Sequence, residues 1–193
     1  MVSTDDVKKL RDATGVSVMQ CKSALDEAKG DFNKAQLILQ KKGTALAAKK
    51  AGRELAAGRV SAYVHATKEV GAMVLLQSET DFVAKNEEFI ALAYDIAMHI
   101  AAANPQYIKR EDVEPEKMND LRALFEKEVA DKPENIREQI LTGKVDAYLK
   151  HSVLLEQDYI KDPEKNIKDL LDAATQKFGE RVEVGRFTRF SVR

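Results

Sequence analysis

SETDFVAKNEEF, residues 78–89, marks the point where the chain changes its period. The apolar run AMVLLQ (72–77) ahead of it has β character. EEFIALAYDIAMHIA (87–101), which begins within it, repeats its apolar residues at helical spacing. The join is therefore a strand-to-helix corner, where small polar turn residues are usual. Asp81 and Phe82 stand there instead. Two readings of Phe82 are open at this level. It packs beneath the start of its own helix as a hydrophobic staple, or it projects from a rigid corner into a partner. Full burial of a Phe is worth about 1.5–3 kcal/mol, enough for a binding anchor. Asp81 either caps the following helix or accepts backbone N–H bonds from a partner.

Outward from this corner the pattern is α+β. RVSAYVHA (59–66) and GAMVLLQSE (71–79) flank TKEVG, whose Gly71 suits a turn, and together they predict an antiparallel hairpin. Val60, Ala62, Val64 and Ala66 share one strand face. A helix over about 84–102 carries Phe89, Leu92, Ala93, Ile96, Ala97 and Ile100 as its apolar stripe and ends at Asn104-Pro105. Residues 115–155 read as several helical pieces broken at DKP (131–133) and TGK (142–144). EQDYIKDPEKN (156–166) reads as a loop before a helix at about 164–178. RVEVGRFTRFSV (181–192) alternates as a third strand. Strands early and late around a helical middle form one small antiparallel sheet backed by helices.

The preceding segment predicts a separate three-helix bundle over residues 1–45, joined by a largely exposed helical connector (46–58) to a core at 59–193. Thr4 or Asp5 can cap the first helix, with Val7, Leu10 and Arg11 following, and Gly15 is free to take a positive φ at its end. Val18, Cys21, Ala24, Leu25 and Ala28 form the stripe of the second. Gly30 closes it, and Asp31 is placed to cap the third, which shows Phe32, Ala35, Ile38 and Leu39 and stops at KKG (41–43).

The chain has 193 residues, 44% hydrophobic and 33% charged, so it can bury a core. A net charge of -1 removes bulk attraction to nucleic acid or anionic membrane. The single Cys21 excludes an internal disulfide, and its place on an apolar stripe makes it a buried structural thiol. MVSTDDVKKL lacks an apolar secretory core, and no run approaches the ~20 residues that span a bilayer; a cytoplasmic protein is expected. His65, His99 and His151 fall in different elements, and no phosphate-binding loop, dinucleotide turn or nucleophile elbow occurs. Neither metal nor cofactor nor catalytic residue is expected. Lys41, Lys42, Lys49, Lys50 and Arg53 are interleaved with alanine rather than stacking aromatics, which favours a solvated helix face over RNA contact. The rival class is a ribosome- or RNA-associated module that uses this stretch.

TDFVAKNEEF (80–89) resembles the signature of the elongation factor Ts family, the guanine-nucleotide exchange factors of bacterial elongation factor Tu. VKKLRDATGVSVMQCKSALDEAKGDFNKAQLILQKKG (7–43) resembles that family's ubiquitin-associated-like domain, AAKKAGR (47–53) its connector, and LLEQDYIKD (154–162) a late segment. The length is similar to the short form, with one core subdomain. The resemblance implies that Thr80, Asp81, Phe82 and Val83 enter the partner's GTPase domain and help dislodge its Mg²⁺. Phe82 would be the wedge between partner helices, and Asp81 would hold displaced backbone. Leu10, Arg11, Thr14, Gly15, Val18 and Met19 would grip another partner helix. Neither nucleic acid nor membrane is an implied partner. The short form can pair through its core, which implies a homodimer and a two-plus-two complex. Val18-Met19 stands where the family often has Met-Met, Gln20 where Asp is frequent, and Asp158-Tyr159 where Pro-Phe is usual.

Overall fold

A computed structural model describes residues 2–192. Three helices, α1 (Thr4–Thr14), α2 (Val18–Glu27) and α3 (Phe32–Lys50), precede the hairpin β1 (Ala57–Val64) and β2 (Val70–Ser78). A single turn, α4 (Asp81–Ala84), leads into α5 (Glu87–Ala103). Then come α6 (Pro115–Val129), α7 (Glu134–Ser152), the short strands β3 (Asp158–Tyr159) and β4 (Asp162–Asn166), α8 (Ile167–Phe178) and β5 (Val182–Ser191). The main sheet is antiparallel in the order β1-β2-β5. The class is α+β, as the patterning predicts.

Each N-terminal helix is started by a side chain that satisfies an orphan N–H. Ser3 Oγ accepts from Asp6 N at 3.0 Å, so Ser3 and not Thr4 or Asp5 is the cap of α1. Asp31 Oδ1 accepts from Lys34 N at 3.0 Å, as expected for α3. Val7, Leu10, Val16, Cys21, Ala24, Leu25, Ala35 and Leu39 close a small core of their own. One expectation fails here: α3 does not stop at KKG but runs on through Gly43 to Lys50. The glycine serves packing rather than termination. A Cβ at Gly43 would lie 3.4 Å from the Asp172 carbonyl and 3.0 Å from Gln176 Oε1, so its absence lets α3 cross closely over α8. Gln40 donates to Asp169 and Thr44 to Asp172 along the same crossing, tying the three helices to the rest of the chain.

The main core lies between one sheet face and α5 and α8. It holds Ala72, Val74, Leu76, Phe89, Ile96, Ile100, Ile167, Leu171, Val182 and Val184. Val60 and Val64 share a face, as expected, but it is the outer one, and both are exposed; Ser61 and Tyr63 turn inward. Gly71 is not in the turn. It pairs with Val64 inside β2, and Lys68, at φ 64°, supplies the left-handed turn residue. TGK does not break α7, because Leu141, Val145 and Leu149 bury one stripe across Gly143, whose cost of about 1 kcal/mol is absorbed by that packing. DKP does separate α6 from α7. The stretch read as a loop at 156–166 contains the β3–β4 hairpin, and α8 starts at Ile167 with an Asn166–Asp169 capping box.

Candidate functional site

The strand-to-helix corner is built from backbone already committed to the sheet. Ser78 pairs with Val182 at the last rung between β2 and β5. Beyond it the chain turns, with Ser78 Oγ donating to the Thr80 carbonyl at 2.9 Å. The four residues of α4 point in two directions. Val83 and Ala84 are buried in the main core, whereas Phe82 is 82% exposed. The staple reading of Phe82 is thereby excluded: among the described residues the ring stays largely uncovered. Asn86, not Asp81, caps α5, accepting from Glu88 N at 2.9 Å.

Asp81 is exposed and pairs with Lys85 at 2.6 Å, one turn on; that hydrogen bond holds its carboxyl below the usual carboxylate range. Thr80 is fixed from the far end of the sequence. The Glu180 carboxylate accepts from Thr80 N at 3.0 Å and from Thr80 Oγ1 at 2.6 Å. Glu79 makes the mirror contact, accepting from Arg181 N at 2.6 Å. Burial works to raise the Glu79 carboxyl, but the Arg181 amide, the Arg53 guanidinium and Lys50 outweigh it and keep it ionised. None of these partners was legible locally, since a Glu in a loop 100 residues away carries no pattern.

The N-terminal candidates divide between surface and interior. Gly15 ends α1 at φ 68°, its N–H bonded to the Arg11 carbonyl at 2.7 Å, and Thr14 Oγ1 donates to the Leu10 carbonyl at 2.7 Å. Val18 and Met19 open α2 and are 53% and 83% exposed. Arg11 is exposed as well. Leu10 is fully buried, so it shapes the α1–α2 turn from beneath. Val83 likewise anchors rather than presents.

The two patches lie on connected ground. Gln176 Nε2, in the last turn of α8, donates to Gln20 Oε1 in the first turn of α2 at 3.2 Å. The next residue, Lys177, pairs with Glu88 in the first turn of α5, immediately after the corner. The end of α8 therefore touches both the Val18-Met19 turn and the start of the helix that follows Phe82.

The basic stretch is largely spent on this chain. Lys42 pairs with Glu27, and Lys50 and Arg53 both pair with Glu79; Lys50 is buried rather than solvated. Among the described residues, no three His, Cys, Asp or Glu side chains are grouped so as to hold a metal ion. No described helix is long and apolar enough to cross a membrane.

The family model described as Elongation factor TS matches residues 41–193. Elongation factor Ts of Thermodesulfovibrio yellowstonii is 47% identical over 192 residues, covering 99% of this chain and 96% of that protein. Elongation factor Ts of Thermotoga maritima is 44% identical over 191 residues, with 99% and 96% covered. The protein of that name from Thermosipho melanesiensis is 44% identical over 194 residues, with 100% and 99% covered.

Proposed function

The chain belongs to the elongation factor Ts family, a family of translation elongation factors that exchange nucleotide and are not enzymes, and on that premise we propose that it binds elongation factor Tu·GDP and promotes GDP release. The observation that carries the reading is Phe82: a large apolar side chain left exposed at the tip of a corner whose neighbours, Val83 and Ala84, are anchored in the core. An exposed ring on a rigid base is what a wedge requires, because little ordering entropy remains to be lost on binding.

The proposed sequence of events uses residues already placed. Val18 and Met19, with Arg11 and the Gly15 turn, grip one helix of the GTPase domain. Phe82 enters between two others, and Asp81 exchanges its Lys85 partner for partner backbone N–H groups. Mg²⁺ bridges and neutralises nucleotide phosphates in such sites, so moving the elements that hold it weakens GDP without competition at the base. Coupling is reciprocal: incoming nucleotide weakens the factor to the extent that the factor weakens nucleotide. The work is done in the cytoplasm, without direct nucleic-acid contact. Release of a fluorescent GDP analogue from elongation factor Tu tests the reading. Acceleration by wild type that is lost in Phe82→Ala supports it, and a folded wild type that leaves release unchanged refutes it.

A homodimer is proposed on separate ground. The outer sheet face carries Val60, Val64, Met73 and Phe190, all exposed, and these apolar residues adjoin one another across three strands. Contiguous apolar surface of this kind marks an association face. Two such faces packed together would give the two-plus-two complex.

A further inference from the structure

We propose that Glu180 is a positioning residue for nucleotide exchange: by clamping Thr80 it fixes the direction in which Asp81 and Phe82 leave the sheet. The proposal rests on the reading of Phe82 as a wedge. Its starting point is that α4 has four residues, far too few to hold a helical turn by itself. On the C-terminal side the turn is held by Val83 and Ala84 in the core. On the N-terminal side the β2–β5 ladder has already ended at Ser78 and Val182.

Two carboxylates continue that ladder where backbone pairing stops. Glu79 accepts the Arg181 amide at 2.6 Å, and Glu180 accepts the Thr80 amide at 3.0 Å, so each strand end is bonded by the other's side chain. Thr80 occupies the N-cap position of α4 yet makes no side-chain cap bond. Its hydroxyl donates instead to Glu180 at 2.6 Å, in the range of charge-assisted O–H···O⁻ bonds. A Thr in that position ordinarily serves its own helix; here it serves the strand opposite. Glu180 itself has little latitude, because it sits between Gly179, the left-handed cap of α8 at φ 70°, and Arg181, whose amide is held by Glu79.

The Phe82 ring, 82% exposed, has little packing of its own to orient it, so backbone direction sets where it points. Freed at Thr80, the turn would pivot about Val83, and only part of the population would present the ring correctly. Apparent affinity falls in proportion to that fraction.

The test is a cycle of Glu180→Ala and Phe82→Ala, read by GDP-analogue release from elongation factor Tu and by thermal unfolding of the free protein. If Glu180 acts only by aiming the wedge, its effect must vanish when the wedge is gone. Expected is roughly tenfold slower release for Glu180→Ala, the size of one lost charge-assisted hydrogen bond, with less than about twofold further slowing on the Phe82→Ala background. Glu180→Gln keeps an acceptor for the Thr80 amide and replaces the second acceptor with an NH2 that can donate to the Thr80 hydroxyl oxygen in a reversed bond, so it should recover most of the rate. If Glu180→Ala fails to fold, Thr80→Val removes the same hydroxyl bond from the other side and enters the same cycle. Wild-type release by Glu180→Ala, or slowing that multiplies with Phe82→Ala, overturns the positioning role. An inactive wild type overturns the exchange reading itself, a result distinct from either.

Discussion

Lys177 lies against Gly15: a Cβ built on the glycine would meet the lysine Nζ at 2.7 Å and Cε at 3.0 Å. The same ammonium pairs with Glu88, so one side chain of α8 spans from the α1–α2 turn to the first turn of α5. The turn that presents Val18 and Met19 and the helix that follows Phe82 are thus referenced to a single residue.

Gly15→Ala is expected to be costly for the backbone more than for Lys177, whose flexible end can step aside. An L-residue at φ 68° loses about 1–2 kcal/mol. Urea unfolding should register that loss, and GDP-analogue release should slow as the Val18-Met19 turn shifts. A variant as stable as wild type would show that the turn relaxes to a negative φ without penalty.

Adjacent residues of the corner should behave oppositely. Phe82→Ala removes an exposed ring and should leave stability within about 0.5 kcal/mol of wild type. Val83→Ala deletes two buried methyl groups and should cost about 2 kcal/mol. Denaturant titration of both variants checks this. A Phe82→Ala protein as damaged as Val83→Ala would mean that the ring packs against its own chain in solution.

How much of this was written locally is clear from the same corner. The change of period at residues 78–89 located the strand end and the helix, and the Asp81-Phe82 pair marked the corner as unusual. Periodicity also delivered the stripes of α2 and α5. It failed where a tertiary contact decided the outcome. Gly43 and Gly143 look like stops, yet one permits a helix crossing and the other is carried by a buried stripe. Val60 and Val64 alternate like core residues, but alternation does not say which face meets the helices. Glu79, Glu180 and Lys177 bond to partners remote in sequence, and nothing adjacent to them announces it.

His99 gives the protein a pH-dependent component of stability. It is fully buried, its Nε2 is 2.9 Å from Gln157 Oε1, and its Nδ1 has no hydrogen-bond partner among the described residues. Gln157 donates its amide to the His151 carbonyl at 2.6 Å, which turns Oε1 toward the ring and makes Nε2 the protonated nitrogen. Burial lowers its pKa from 6.5, opposed by the Gln157 bond. The unfolded chain therefore binds a proton that the folded one refuses. The neutral form's contribution is complete above pH ~6.5 and is lost as pH falls from there toward the folded value. The slope is at most about 1.4 kcal/mol per pH unit. Urea unfolding at pH 7.5 and 5.5 should show a steeper loss for wild type than for His99→Gln; identical losses would mean that His99 titrates normally.

Association through the outer sheet face makes the final prediction. Val64 and Phe190 flank Gly71 in one cross-strand row, and Met73 lies in the next beside Ala62 and Thr188, so the apolar residues cluster at the Phe190 end of the face. Phe190 is 71% exposed, so introducing a charge there should matter much to a partner and little to the fold. Phe190→Glu buries an unpaired carboxylate if the face is covered and meets only water if it is not. Light scattering at micromolar concentration should therefore find a dimer for wild type and a monomer for Phe190→Glu, with thermal unfolding of the variant becoming independent of protein concentration. A wild type that is monomeric alone and with elongation factor Tu would leave this face without a second copy and reject the two-plus-two complex.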